Sequence, residues 1–193
     1  MSLRKKILFF GWVTLIVFPI PSYLLRYYLD DLTFGEFIQY TNFKVIAVGY
    51  GLELGIVYAI LCYVLMQAPF FDTVPTKMDQ LIGQMKLKIR DGIFLSLCAG
   101  VGEELLFRAG IQHYFGWIMT SILFVALHGY LNPWNWRFSI YGIIVLPFIF
   151  LISLGFEMFG LWFAVAAHFA YDAVLFTFII REQKSKGFDN FEK

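Results

Sequence analysis

Six apolar stretches, at residues 7–28, 45–66, 92–114, 117–131, 138–154 and 161–180, set the terms on which this chain can fold. A helix needs ~20 apolar residues to cross the ~30 Å hydrocarbon core of a bilayer, and most of these stretches come close to that length. None alternates apolar and polar residues as a barrel strand would over ~10 residues. The expected fold is therefore all-α, a polytopic transmembrane helical bundle of about six spans. The stretch at 117–131 is the weakest, because its 15 residues rise only ~22 Å at ~1.5 Å each. Composition points the same way: 60% of the chain is hydrophobic and 15% charged, against ~45–50% and ~25% in a soluble domain. Spans of this number use up the 193 residues, so 1–193 reads as a single membrane domain.

Charge then sets exclusions and orientation. A net charge of +1 offers no basic excess for neutralising phosphates, so no nucleic-acid partner is expected. Cys62 and Cys98 lie inside apolar runs, which excludes a disulfide framework. With the N-terminus inside, 12 of the 15 basic residues fall on the inner side, leaving Arg26, Lys44 and Arg108 outside. Both termini are thus expected to be cytoplasmic under the positive-inside rule. A short bundle without targeting signals suits a bacterial inner membrane. The first stretch starts like a signal peptide but lacks a small-x-small cleavage site and runs on past Pro19 and Pro21, so it reads as a kinked helix that is retained. Residues 77–90 place Met78, Leu81, Ile82, Met85 and Ile89 at helical spacing among lysines, a pattern suited to an interfacial helix on the inner surface.

Ionisable groups within the spans each need a reason, since one costs ~2.5–3.5 kcal/mol even on the lenient insertion scale. They are Glu53, Glu103, Glu104, Arg108 and Asp172, with His128 and His168 beside them. Glu104 and Arg108 are four residues apart with the acid first, the favourable order for a helical ion pair. That pair reads as structural support and leaves Glu103, ~100° away on the helix, facing elsewhere. If the third and fourth stretches form a hairpin at Gly116, Glu103 and His128 lie ~19 and ~18 Å below the turn. A turn near Gly160 puts Asp172 at ~18 Å and His168 one helical turn above it. Two carboxylates and two imidazoles thereby share one layer, an arrangement suited to activating water with or without a metal. Glu53 has no motif partner, and is expected to satisfy a hydrogen bond within the bundle or face water in a cavity. No metalloprotease His-Glu-x-x-His and no Gly-x-Ser-x-Gly elbow occurs.

Three motifs carry a resemblance: Glu103-Glu104-Leu-Leu-Phe-Arg108, Phe124-Val-Ala-Leu-His128 and His168-Phe-Ala-Tyr-Asp172, the last preceded by Gly160-Leu-Trp162. In type and order they resemble the signatures of the CAAX protease and bacteriocin-processing family of intramembrane endopeptidases. The likeness covers residues 92–180, with two additional spans in 1–91. It implies a membrane-embedded endopeptidase that cuts a membrane-associated peptide or protein at the cytoplasmic side of the lipid bilayer. On that resemblance Glu103 activates water, His128 holds it, and His168 with residue 172 binds the carbonyl and stabilises the oxyanion. The family has been described both as zinc metalloproteases and as glutamate-type proteases; a zinc ion, if present, would be held by His128 and His168. Two departures matter: Asp172 stands where many members have Asn, and Ala109 follows the arginine where Gly is usual. An ionised Asp172 would repel an oxyanion, so it must be protonated, bind metal or carry a proton. The rival readings are a proton-coupled membrane transporter, since Glu, His and Asp chains also relay protons, and a non-catalytic membrane binding protein that retains the motifs.

Overall fold

The computed structural model describes residues 1–68, 85–131 and 136–189. Among them every regular element is helical. In chain order these are α1 (Leu3–Val17), α2 (Pro19–Asp30), the single turn α3 (Phe34–Phe37), a 3-10 turn (Tyr40–Asn42), α4 (Val45–Met66), α5 (Ile89–Glu104), a π-helical segment (Leu105–Ile111), α6 (Gln112–Leu127), α7 (Trp136–Phe159) and α8 (Leu161–Asp189). The expected interfacial helix at 77–90 falls largely outside the described residues.

Five helical stretches are long and apolar enough to cross a membrane: Leu3–Asp30, Val45–Met66, Ile89–Leu127, Ser139–Phe159 and Leu161–Gln183. The first bends where sequence places the kink, α1 ending at Val17 and α2 starting at Pro19. A proline at the first helical position needs no N–H there but cannot continue a preceding helix. The third combines the third and fourth apolar stretches of the sequence. Helical hydrogen bonding breaks within it at Gly116, whose φ of 70° and ψ of 169° lie in a region that glycine alone adopts without strain. From there the chain doubles back, so that Phe107 meets Phe124 with ring centroids 4.9 Å apart. The weak stretch at 117–131 is the short return limb of a hairpin.

The core lies between α4, α7, α8 and this hairpin, and includes Phe107, Phe124, Val125, Phe148, Ile152 and Ala167. Large apolar side chains such as Phe10, Ile46, Val57 and Val64 face outward. An apolar exterior around a polar site is the inverse of a soluble protein and suits a lipid solvent. Two sets of contacts define the ends of the bundle. At one, Arg4 grips Asp91 through two hydrogen bonds of 2.7 Å, and Gly92 packs against Phe176 and Ile180. At the other, Tyr114 donates to Asp30 at 2.7 Å, and Gln39 accepts from Leu161 N–H at 2.8 Å and from the Trp162 indole at 3.3 Å.

Candidate active site

The site is built where α5, α6 and α8 meet, and a close approach makes it possible. At Gly100 a Cβ would lie 3.0–3.2 Å from the backbone of Phe169 and 3.1 Å from the carbonyl of Val165. The absence of a side chain therefore lets α5 lie directly on α8, four residues before Glu104. Downstream the helix widens into the π-helical segment at Leu105–Ile111. Such a segment adds a residue to a turn and re-aims the side chains around it.

Glu103 and Glu104 do different work, as their ~100° separation on the helix requires. Oε2 of Glu103 lies 3.4 Å from Nε2 of His128. Nδ1 of His128 is 2.7 Å from the carbonyl of Phe124. A carbonyl only accepts, so Nδ1 carries the proton and Nε2 is the nitrogen presented to Glu103. The layer read from the hairpin arithmetic thus exists as a contact. Glu104 sits between His168 and Arg108: Nδ1 of His168 is 2.7 Å from its Oε1, and Nε of Arg108 is 3.1 Å from its Oε2. Nε2 of His168 lies 3.5 Å from Oδ2 of Asp172. With a carboxylate at each nitrogen, a doubly protonated ring can serve both, whereas a neutral one donates to only one.

Exposure separates the two halves of the cluster. The side chains of His128, Asp172 and Glu103 are 31%, 24% and 14% exposed, while those of Glu104 and Arg108 are at 0%. Water and substrate can reach the first group directly, and His168, at 7% exposure, borders it.

Phe124 ties the cluster together. Its ring stacks on His128 at 4.3 Å, meets His168 edge-on at 5.8 Å and lies 4.9 Å from the Arg108 guanidinium carbon. One aromatic face thereby fixes both imidazoles and supports a buried cation. Sequence reading took Phe124 only as a motif letter; its spacing of four from His128 was the available signal. The bond from Glu104 to His168 was also missed, as was Tyr130, whose ring stacks beside His128 at 5.9 Å.

Glu53 differs from expectation. It lies on the exposed face of α4, away from the buried stripe of Ala47, Gly51, Gly55 and Ala59, because ~200° of helix separates it from Gly51. Among the described residues no three His, Cys, Asp or Glu side chains converge as a set of metal ligands. His168 spends both nitrogens on carboxylates, so the pairing of His128 with His168 around zinc does not fit this arrangement.

Residues 86–174 match the Rce1-like family, described as type II CAAX prenyl endopeptidase Rce1-like. All three motifs and every member of the cluster fall inside the matched residues. The chain is also 39% identical over 84 residues to the uncharacterized protein YpbD of Bacillus subtilis (strain 168), a match covering 42% of each. It thus spans less than half the length of that relative. No solved structure matches it significantly.

Proposed function

We propose that this protein is an intramembrane endopeptidase of the bacterial inner membrane, hydrolysing a peptide bond in a membrane-associated peptide or protein. The observation that carries the reading is the partly exposed pair of Glu103 and His128, set beside a His168 held between two carboxylates. Water seated over the contact of Glu103 Oε2 with His128 Nε2 donates one hydrogen to each acceptor, leaving an oxygen lone pair for attack. Glu103 takes a proton as the oxygen bonds to the scissile carbonyl carbon. His168, doubly protonated, donates from Nε2 to the developing oxyanion. Glu103 then returns its proton to the leaving amine as the C–N bond breaks, which restores the carboxylate.

On this reading Asp172 is a partner of His168 and contributes no donor of its own. It holds the Nε2 proton in the ground state and yields it as the oxyanion forms, which resolves the conflict of placing an aspartate where an asparagine would donate. Glu104 and Arg108 orient His168 from behind. Test the proposal with full-length protein in detergent against a peptide library, comparing wild type with Glu103→Gln and His128→Ala. Cleavage should fall by at least about a hundredfold in both, the scale of general-base catalysis, while helicity and melting stay unchanged. Equal cleavage by all three proteins would overturn it.

A further inference from the structure

At the end of the bundle that carries Gly116 lies a cavity of about 340 Å³, which shares Arg108 with the cluster but is lined by none of Glu103, His128, His168 and Asp172. Its walls come from α2, α3 and the loop after it, the π-helical segment with the start of α6, and the end of α7. They bring together Arg26, Glu36, Gln39, Arg108, Gln112 and Glu157. The volume falls within the ~300–1,000 Å³ of small-molecule sites.

The lining has more buried donors than acceptors. Arg108 is wholly buried, and its Nε, Nη1 and Nη2 have no hydrogen-bond partner among the described residues; the same holds for Nε and Nη1 of Arg26. Each guanidinium has an acid four residues away on its own chain segment, Asp30 for Arg26 and Glu104 for Arg108. Both contacts are 3.1 Å long but off the hydrogen-bonding line. Buried charged donors without acceptors are costly, so the three nitrogens outside these contacts, Nε of Arg26 and Nη1 and Nη2 of Arg108, call for anionic oxygen. A carboxylate brings two oxygens, whereas a phosphate brings more and matches the guanidinium fork. The remaining lining has the opposite need. Gln112 donates to Ser153 O at 3.0 Å and Glu157 at 3.1 Å, yet its own buried Oε1 has no partner among the described residues. Carboxylates of Glu36 and Glu157 line the same space. A ligand that meets both needs carries negative oxygens and a positive nitrogen.

We propose that this cavity binds a phosphate–ammonium zwitterion, the chemistry of a phosphoethanolamine headgroup, with its phosphate on Arg26 and Arg108 and its ammonium toward Glu157 and Gln112. The site lies at the level of the Gly116 turn, at one end of the helices, where headgroups of a surrounding bilayer lie. It does not depend on the proposed hydrolysis, and its failure would leave that reading untouched.

The test uses full-length protein in two arms. Soluble phosphoethanolamine and inorganic phosphate are titrated against detergent-purified protein by calorimetry. Nanodiscs of ethanolamine, choline or glycerol phospholipids are compared by native mass spectrometry for retained lipid. Arg26→Gln should weaken phosphoethanolamine by about tenfold or more, the scale of a charge-assisted hydrogen bond, and Arg26→Lys should recover part of it. Glu157→Gln, at an exposed position, should weaken phosphoethanolamine but leave inorganic phosphate unchanged. Retention of ethanolamine lipid over glycerol lipid assigns the headgroup to the membrane; binding confined to the soluble compound assigns it to solution. If the folded wild type binds neither, the cavity holds water only and the proposal fails. It fails equally if binding is indifferent to both Arg26→Gln and Glu157→Gln.

Discussion

At the scale of single residues, the adjacent acids Glu103 and Glu104 should part company under the same substitution. Glu104 is wholly buried and shared by His168 and Arg108, so Glu104→Gln leaves a buried guanidinium without its counter-charge. Removing one partner of a buried ion pair typically costs about 3–5 kcal/mol, and thermal melting in detergent should show a loss of that order. Glu103→Gln, by contrast, should melt near wild type and lose hydrolysis. A second residue-scale expectation concerns metal. Because His168 commits both nitrogens to carboxylates, a chelator should leave cleavage unchanged, with zinc well below one per chain. Stoichiometric zinc whose removal stops cleavage would overturn the water-only chemistry. Sequence spacing made the layer of Glu103, His128, His168 and Asp172 legible, because an i, i+4 pair and a hairpin both follow from helical geometry. It did not reveal the Glu104–His168 bond, which joins positions 64 apart and depends on how far α5 and α8 rotate about their axes.

At the scale of elements, two glycines govern the site for different reasons. Gly100 admits α8 against α5, and an alanine there places its methyl a few tenths of an ångström too close to the Phe169 backbone. Gly100→Ala should therefore separate Glu104 from His168. The expected readout is loss of cleavage with little change in membrane insertion or helix content. Gly116 has no such crowding; its demand is conformational, and Gly116→Ala should cost about 1–3 kcal/mol in melting for holding a non-glycine in that region. The turn at Gly116 and the one at Gly160, whose φ is 89°, were legible because a glycine lies between successive apolar runs at both. The π-helical segment was not, since a run such as Leu105-Leu-Phe-Arg-Ala-Gly-Ile111 has no pattern that separates a widened turn from an α-helical one.

At the scale of the whole molecule, contacts fix which ends of the helices share a face, and only charge bears on which face meets the cytoplasm. Arg4 with Asp91, and Gly92 with Phe176 and Ile180, put the start of α1 and the later part of α8 together. Asp30 with Tyr114, and Gln39 with Trp162, mark the opposite face. The helices would be equally content upside down in a symmetric slab. The excess of 12 basic residues over 3 in the sequence favours the face of the termini as the cytoplasmic one, and we propose that orientation. On that orientation the Glu103 centre, ~18–19 Å from the Gly116 turn, would lie nearer the inner surface, where a peptide made in the cytoplasm can enter. The native cysteines make a direct test clean, because Cys62 and Cys98 are at 0% and 1% exposure and should not react with a membrane-impermeant maleimide. Gly35→Cys, at a position open to its surroundings, should label in intact cells, and Ser2→Cys should label only after the membrane is permeabilised. The reverse pattern would put the centre on the outer side and restrict its substrates to exported peptides.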